Sequence, residues 1–364
     1  MPATKRIPVE TIYNLMTEVF SKLGVPKDEA KICADVLIAS DLSGIESHGI
    51  GRLKMYYDRI KSGIQFATTN IDVVKDFAAI AVWDGNHGMG KVISFKAMQE
   101  AIDKAKKFGI GCVTIRNSTH YGIAGYYPKM ATAQNMIGMS VTNARPSIAP
   151  LNGVQPMLGT NPIAFGAPSD LKFPFLFDAA TSISQRGKIE VLGRKNKPTP
   201  EFWAIDDKGN PFTETQQLLK DLVEQTASLV ALGGTEEFSG GHKGYGLATI
   251  VEILSSALQA GSFMHSLSGF EGDKRVPYKL GHFFMAINPE VFGDVSTFKK
   301  TVGDIMRNLQ NSTKKPGCER IYVAGEKEYL IEAEIREIGV PINAALNKNI
   351  QIMIDELGIE EIDI

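Results

Sequence analysis

The chain has 364 residues with an apolar fraction of 43% and a charged fraction of 22%, enough to bury a sizeable core in more than one domain. Its 39 lysines and arginines nearly balance 41 aspartates and glutamates, for a formal charge of −2, and no basic arm points to nucleic acid. No run has signal-peptide or membrane-span character, and Cys33, Cys112 and Cys318 have neither disulfide-framework nor metal-ligand spacing, so the expectation is a cytoplasmic protein without membrane contact.

Residues 8–40 carry helical periodicity in two segments parted at "KLGVPKDEA", where Gly24 stops the first and Pro26 opens the second. Leu15, Val19, Ala34, Leu37 and Ile38 mark faces that need cover. "SGIESHGIGRLKMYYDRIKSG" (43–63) turns on glycines into a third helix that Gly63 ends, and "TTNIDVVKDFAAIAVWDGNHGMG" alternates as strands do until a Gly/Asn cluster breaks it. A helix over "KVISFKAMQEAIDKAKKF", a strand over "CVTIRN", a loop and helix over "STHYGIAGYYPKMATAQ" and a strand over "MIGMSVTNA" follow. "GYGLATIVEILSSALQAG" reads as a long helix with Leu247, Ile250, Val251 and Leu254 on one apolar stripe. Beyond residue 300, the helices "TVGDIMRNLQNS" and "YLIEAEIREIGV" flank a strand "RIYVAG". The fold class is therefore α/β, with an α/β domain over 76–299 beside a helical domain built from both chain ends, 1–75 and 300–364.

An α/β chain with 35 glycines invites a dinucleotide reading, but no Gly-x-Gly-x-x-Gly lies between a strand and a helix, and no Gly-x-x-x-x-Gly-Lys-Ser/Thr loop is present. "GIGCVT" (109–114) runs from helix to strand, the reverse of the required order, and "GNHGMG" (85–90) has the wrong spacing. "GGHKGYG" (240–246) opens the long helix and is either a phosphate cradle, with free amides and Lys243 supplying positive charge, or a tight structural turn. In "PFLFDAATSISQRGK" a strand ends at Asp178, and Thr181 and Ser182 either bond a ribose or phosphate or cap a helix. Arg186 and Lys188 likewise either meet phosphates or solvate the surface.

Four-residue spacing puts His48, Arg52 and Tyr56 on one helix face if that helix begins at Ser47. Such a face is either a site, with an imidazole to move a proton and a guanidinium fork for a carboxylate, or a wet surface with Tyr56 packed on a neighbour. His120 stands just past a strand among glycines, the usual address for chemistry in α/β proteins, though a lone histidine there is also an ordinary structural residue. "GTNPIAFGAPS" (159–169) is a turn that can aim Thr160 and Asn161 at a ligand, or plain Asn-Pro punctuation.

Taken together in their order and spacing, "SGIESHGIGRLKMYYDRIKSG", "NSTHYGIAGYYPKMA", "GTNPIAFGAPS", "FDAATSISQRGKI", "GGHKGYGLATIVEIL" and "VAGEKE" resemble the malate/L-lactate dehydrogenase family, the type 2 group unrelated to the Rossmann malate and lactate dehydrogenases. The resemblance runs from about residue 8 to about residue 345. It implies a non-Rossmann dehydrogenase fold with a mixed-sheet central domain, a homodimer, and NAD or NADP as cofactor. By position, it places Ser47, His48, Arg52 and Thr160 at the substrate, with His48 and His120 as the catalytic pair, and the four-residue spacing adds Tyr56 to the substrate side. Asp178, Thr181, Ser182, Lys243, Gly325 and Glu326 match its cofactor side, to which His120 in the reacting pocket and Asn161 of the Asn-Pro turn are added as expected cofactor contacts. The last block commonly reads Pro-Gly-Glu in the family, whereas Ala324 stands here in place of proline.

The implied reaction is reversible hydride transfer between C2 of an L-2-hydroxy acid and a nicotinamide, with malate and oxaloacetate as the leading pair. L-lactate, L-sulfolactate, ureidoglycolate and a cyclic-imine carboxylate are the alternative substrates. Arg52 accounts for one carboxylate, and no sequence motif names the donor for a second. A non-catalytic ligand-binding protein is the different-class alternative. A metal-dependent hydrolase is disfavoured because no His-Glu-x-x-His or other compact ligand set occurs.

Overall fold

The computed structural model describes residues 5–360. At the N-terminal end, helix Val9–Lys22 buries Ile12, Leu15, Met16, Val19 and Phe20, one face at helical spacing. Gly24, at φ +89°, lets the chain reverse, and Pro26 caps the start of helix Lys27–Leu42. Leu15, Val19, Ala34, Leu37 and Ile38 are all buried, as their spacing predicts. The cover comes from helix Leu53–Lys61 and, from the far end of the chain, Ile335, Ile350, Met353 and Ile354. Strand Lys5–Ile7 pairs antiparallel with Val340–Ile342, so both ends close on one core. Met89 and Val92, at the start of helix Gly90–Phe108, enter the same core and tie it to the sheet region.

The central sheet has seven strands in the order Asp72–Phe77, Ile80–Asp84, Ile110–Ser118, Leu280–Ile287, Ile137–Thr142, Ile163–Ala167 and Phe175–Ala179. Only Ile80–Asp84 and Ile110–Ser118 pair in parallel; the other pairings are antiparallel. This mixed sheet is not the parallel run of a doubly wound nucleotide fold. Its middle strand, Leu280–Ile287, comes from late in the chain and is buried almost throughout, with helix Gly90–Phe108 against one face and Val251 of helix Gly241–Ser256 against the other.

Three expectations change. The helix Gly241–Ser256 buries Val251 and half-buries Leu254, but Leu247 and Ile250 point outward with Ile253. "RIYVAG" is not a strand: residues 320–325 form an irregular turn whose Ala324 carbonyl accepts from Leu176 N–H. The limits 75/76 and 299/300 fall inside strand Asp72–Phe77 and helix Val295–Gln310, and the latter is bound to the sheet domain through Arg307 to Asp170 (2.9 Å). The outermost parts of the terminal ranges, 1–4 and 361–364, lie outside the described residues.

A third core, invisible in the sequence, gathers Ile148, Leu158, Ile189, Leu218, Leu229 and Ala231 around helices Arg186–Arg194 and Thr215–Glu224. This lobe supplies a wall of the cleft described next.

Candidate active site

The segment 43–49 is a turn, and the following helix starts at Leu53 after a short 3₁₀ turn, so His48 precedes the helix that carries Tyr56. Hydrogen bonds rather than helical periodicity shape the turn. Ser40 Oγ donates to Ile45 O (2.8 Å), and Ile50 N–H donates to the buried Asp41 carboxyl (2.8 Å). Gly49 must be glycine because a Cβ there would overlap that carboxyl. Burial pushes the Asp41 carboxyl up to about 8.

Within this frame, Ser47 Oγ lies 2.8 Å from His48 Nδ1, and the Ser47 carbonyl accepts from Arg52 Nε (2.6 Å). Arg52 also meets Glu190 at 3.6 Å. Ser47 therefore orients the imidazole and anchors the guanidinium. Burial, followed by the Arg52 charge, pushes the His48 imidazole down to about 4.

His120 reaches the same place from the end of strand Ile110–Ser118, and the two imidazoles stack at 5.8 Å between centroids with 23° between planes. Its Nδ1 lies 2.6 Å from Tyr56 Oη and 3.2 Å from Gly122 N. A backbone N–H can only donate, so Nδ1 is an acceptor and the neutral ring carries its proton on Nε2. Desolvation, then the neighbouring His48, holds the His120 imidazole well below its ordinary value.

Tyr56 is thus a support for His120 and not a substrate contact: it is fully buried and lines none of the cavities at the histidines. Lys91, also fully buried, sets its Nζ 3.0 Å from the centre of the Tyr56 ring, and burial pushes its ammonium down to about 7. The signal for Lys91 and Asp41 in the sequence is a charge on an otherwise apolar helix face.

Three cavities adjoin here, two of them lined by both imidazoles. The innermost, about 120 Å³, is lined by His48, His120, Asn143, Thr160, Asp178 and Gln185. An outer one of about 360 Å³ shares His48, His120, Thr160 and Gln185 and extends past Arg52, Arg59 and Arg145. On the other side, Ile45, Ile123 and Asp178 are common to the inner cavity and a third of about 440 Å³. The third is lined by Lys129, Lys172, Arg336, Gly325 and the stacked rings of Phe173 and Tyr329, 5.3 Å apart. Asp178 faces this passage and accepts from Gly125 N–H (2.6 Å), while burial pushes its carboxyl up to about 6.

The passage joins the histidines to the stacked Phe173 and Tyr329 rings, where Lys129 and Arg336 pair with Glu332 and Lys172 lines the wall with Glu328, an apolar and mixed-charge slot suited to the planar rings of a cofactor. His48, His120, Arg52, Thr160, Asp178 and Gly325 line the connected space. Asn161, Thr181, Ser182, Lys243 and Glu326 do not. Buried Asn161 donates to Ala248 O (2.9 Å) and Glu252 (2.8 Å), cross-linking the sheet to the helix beneath. Thr181 Oγ1 donates to Thr160 O (3.2 Å) and Asn161 O (3.1 Å), and Ser182 Oγ to Ser184 O (2.6 Å). Glu326 is consumed by Arg320, Gln310 and the Val323 amide.

At 240–246 the structural reading prevails. The Gly241 and Lys243 amides donate to Glu236 O (3.0 Å) and Gly240 O (2.9 Å), leaving them unavailable to an anion. A Cβ on Gly244 would overlap the Leu232 carbonyl oxygen, and one on Gly241 would overlap that of Gly234. The glycines serve close packing, and Lys243 is exposed.

The likeness to known proteins spans the chain. A profile of the family described as malate/L-lactate dehydrogenase matches residues 7–351. Malate dehydrogenase of Pyrococcus abyssi is 43% identical over 360 residues, covering 99% of this chain and 97% of that protein. The malate/(S)-sulfolactate dehydrogenase of Methanothermus fervidus is 36% identical, with 97% and 98% covered. The crystal structure of malate dehydrogenase from Entamoeba histolytica superposes with a TM-score of 0.97 at 42% identity, each chain covered in full. Fold, paired-histidine cleft and full-length likeness agree: the chain belongs to the malate/L-lactate dehydrogenase family and is an oxidoreductase.

Proposed function

We propose that the protein interconverts an L-2-hydroxy acid and its 2-oxoacid with NAD or NADP, and that (S)-malate and oxaloacetate are the pair it uses. The observation carrying this reading is the position of the two imidazoles, between a cavity rich in arginine and a passage that leads to a stacked aromatic pair. The malate dehydrogenase names of the relatives support the choice of substrate. Residues lining the passage, Phe173, Asp178, Gly325 and Tyr329 among them, would hold a nicotinamide cofactor, which would supply the hydride acceptor for the alcohol and the donor for the ketone.

The protein's part is to hold the acid and to move one proton. Arg52, fixed through Nε to Ser47 O, has its remaining donors for the C1 carboxylate. His120 presents Nε2–H to the C2 oxygen as a neutral donor. Its Nδ1 already accepts from Gly122 N–H, so an imidazolium there would set N–H against N–H. His48 has no such conflict, because the Ser47 hydroxyl can rotate to donate to Nδ1 or accept from it. His48 is therefore the proton carrier, taking the hydroxyl proton in oxidation and returning it in reduction. An anionic substrate beside it opposes the desolvation that holds the ring neutral in the free protein.

Purified protein mixed with NADH or NADPH and a panel of 2-oxoacids tests the reading through loss of reduced-nicotinamide absorbance. Oxaloacetate-dependent oxidation that persists after chelation is expected; no oxidation with any acid in the panel overturns it. The homodimer and the cytoplasmic location remain part of this reading, and sedimentation at working concentration tests the former.

A further inference from the structure

We infer that Arg59 and Arg145 form a second anion subsite, which selects substrates bearing an acidic group at the end of the molecule remote from the reacting carbon. The inference rests on the proposed 2-hydroxy acid reaction and names the part of the site that chooses among such acids.

The outer cavity is lined by four arginines, Arg52, Arg59, Arg145 and Arg186, and by no aspartate or glutamate. Two have a carboxylate nearby: Arg186 Nε donates to Glu190 (3.0 Å), and Arg52 lies 3.6 Å from the same residue. The guanidinium groups of Arg59 and Arg145 have neither a hydrogen bond nor an ion pair with any described residue. Two half-buried guanidinium groups that face one cavity with no counter-charge in reach leave their donors open to an anionic ligand.

Arg59 is also held in place. Its guanidinium lies over the Tyr278 ring, 4.5 Å from the centroid, and the Tyr278 carbonyl is pinned 2.9 Å from His87 Nδ1. Arg52, capping helix Leu53–Lys61, and Met55 and Arg59 within it all face the cavity, while Arg145 approaches from the loop after strand Ile137–Thr142. Burial, then the charges of Arg145 and Arg52, lower the Arg59 guanidinium from its ordinary value, with Tyr278 and Tyr56 opposing them. The arrangement suits an acid clamped at C1 by Arg52 whose far carboxylate or sulfonate sits between Arg59 and Arg145. A monocarboxylate of the same reaction leaves that pair unsatisfied.

The test compares wild type with Arg59→Gln and Arg145→Gln in two assays. In the first, kcat/KM for oxaloacetate should fall by at least about thirtyfold while that for pyruvate changes by less than about threefold, as removal of a charge-assisted contact to one group requires. Equal losses on both acids, or no loss on either, overturn the subsite. The second assay needs no turnover: calorimetric titration of succinate against butyrate. Wild type should prefer the diacid, and each variant should lose that preference while keeping the wild-type melting temperature within a few degrees. Should wild type reduce no oxoacid yet bind succinate through these two arginines, the dehydrogenase reading falls and the subsite stands. A variant that keeps the diacid preference sinks the subsite whatever the enzyme turns over.

Discussion

The turn at 43–52 and the helix start at 240–246 look alike in sequence, each a glycine-rich approach to a helix with a histidine and a cation, but they differ in use. In the first, the glycine clears room for a buried carboxyl that shapes the turn, and the polar side chains are left facing a cavity. In the second, the glycines admit neighbouring carbonyls, the Gly241 and Lys243 amides are used up, and the lysine faces outward. The lesson is that a glycine cluster marks close approach of something, and only the neighbour decides whether that is ligand or backbone.

The largest expected break in this comparison is His48→Asn, which should lower kcat by roughly a hundred- to ten-thousandfold while leaving NADH affinity, read by fluorescence titration, near wild type. If His120→Asn shows that loss and His48→Asn does not, the roles of the two rings are exchanged. Next comes the contrast between Gly244→Ala and Lys243→Ala. The added methyl must displace the Leu232 carbonyl, so Gly244→Ala should cost about 1–3 kcal/mol of stability in urea unfolding. Lys243→Ala should leave stability and the KM for the nicotinamide unchanged within about threefold, as for an exposed side chain without a buried contact. A tenfold rise in that KM would restore the phosphate role to this helix start.

The smallest effect concerns Asp41. Its folded-state value, about 8, lies above that of an unfolded aspartate, so the folded protein holds a proton that the unfolded chain releases near pH 4. The contribution of this group is fully present below about pH 4 and is lost as pH rises toward 8. Asp41→Asn keeps an acceptor for Ile50 N–H and cannot ionise. The difference in melting temperature between variant and wild type should therefore move in the variant's favour from pH 5 to pH 8; a constant difference would show that Asp41 does not titrate in that window.

Much of the site was legible as residue types at fixed spacing: His48, Arg52, His120, Thr160 and Asp178 all line the connected cleft. Tyr56 was legible as a partner of the site, but its direction was not. The assumed helix from Ser47 aimed it at the substrate, whereas the helix from Leu53 carries it under His120. Asn161, Thr181 and Ser182 sit beside the cleft in sequence, yet their side chains close backbone and buried carboxylate groups behind it. Short polar side chains satisfy either kind of partner equally well, so their spacing carries no sign of which one they meet.

What the sequence determined by itself was local: helices with one apolar face, the stop at Gly24, alternating strands, and a pair of histidines flanked by glycine and arginine. These follow from periods and backbone preferences that act within a few residues. Tertiary structure alone decided that Leu280–Ile287 would be the middle of the sheet and that residues 5–7 and 340–342 would share a ladder. It also decided that Arg145 would come to face Arg59 across a cavity. Such pairings depend on burial and hydrogen bonding between segments far apart in the chain, which no local pattern encodes.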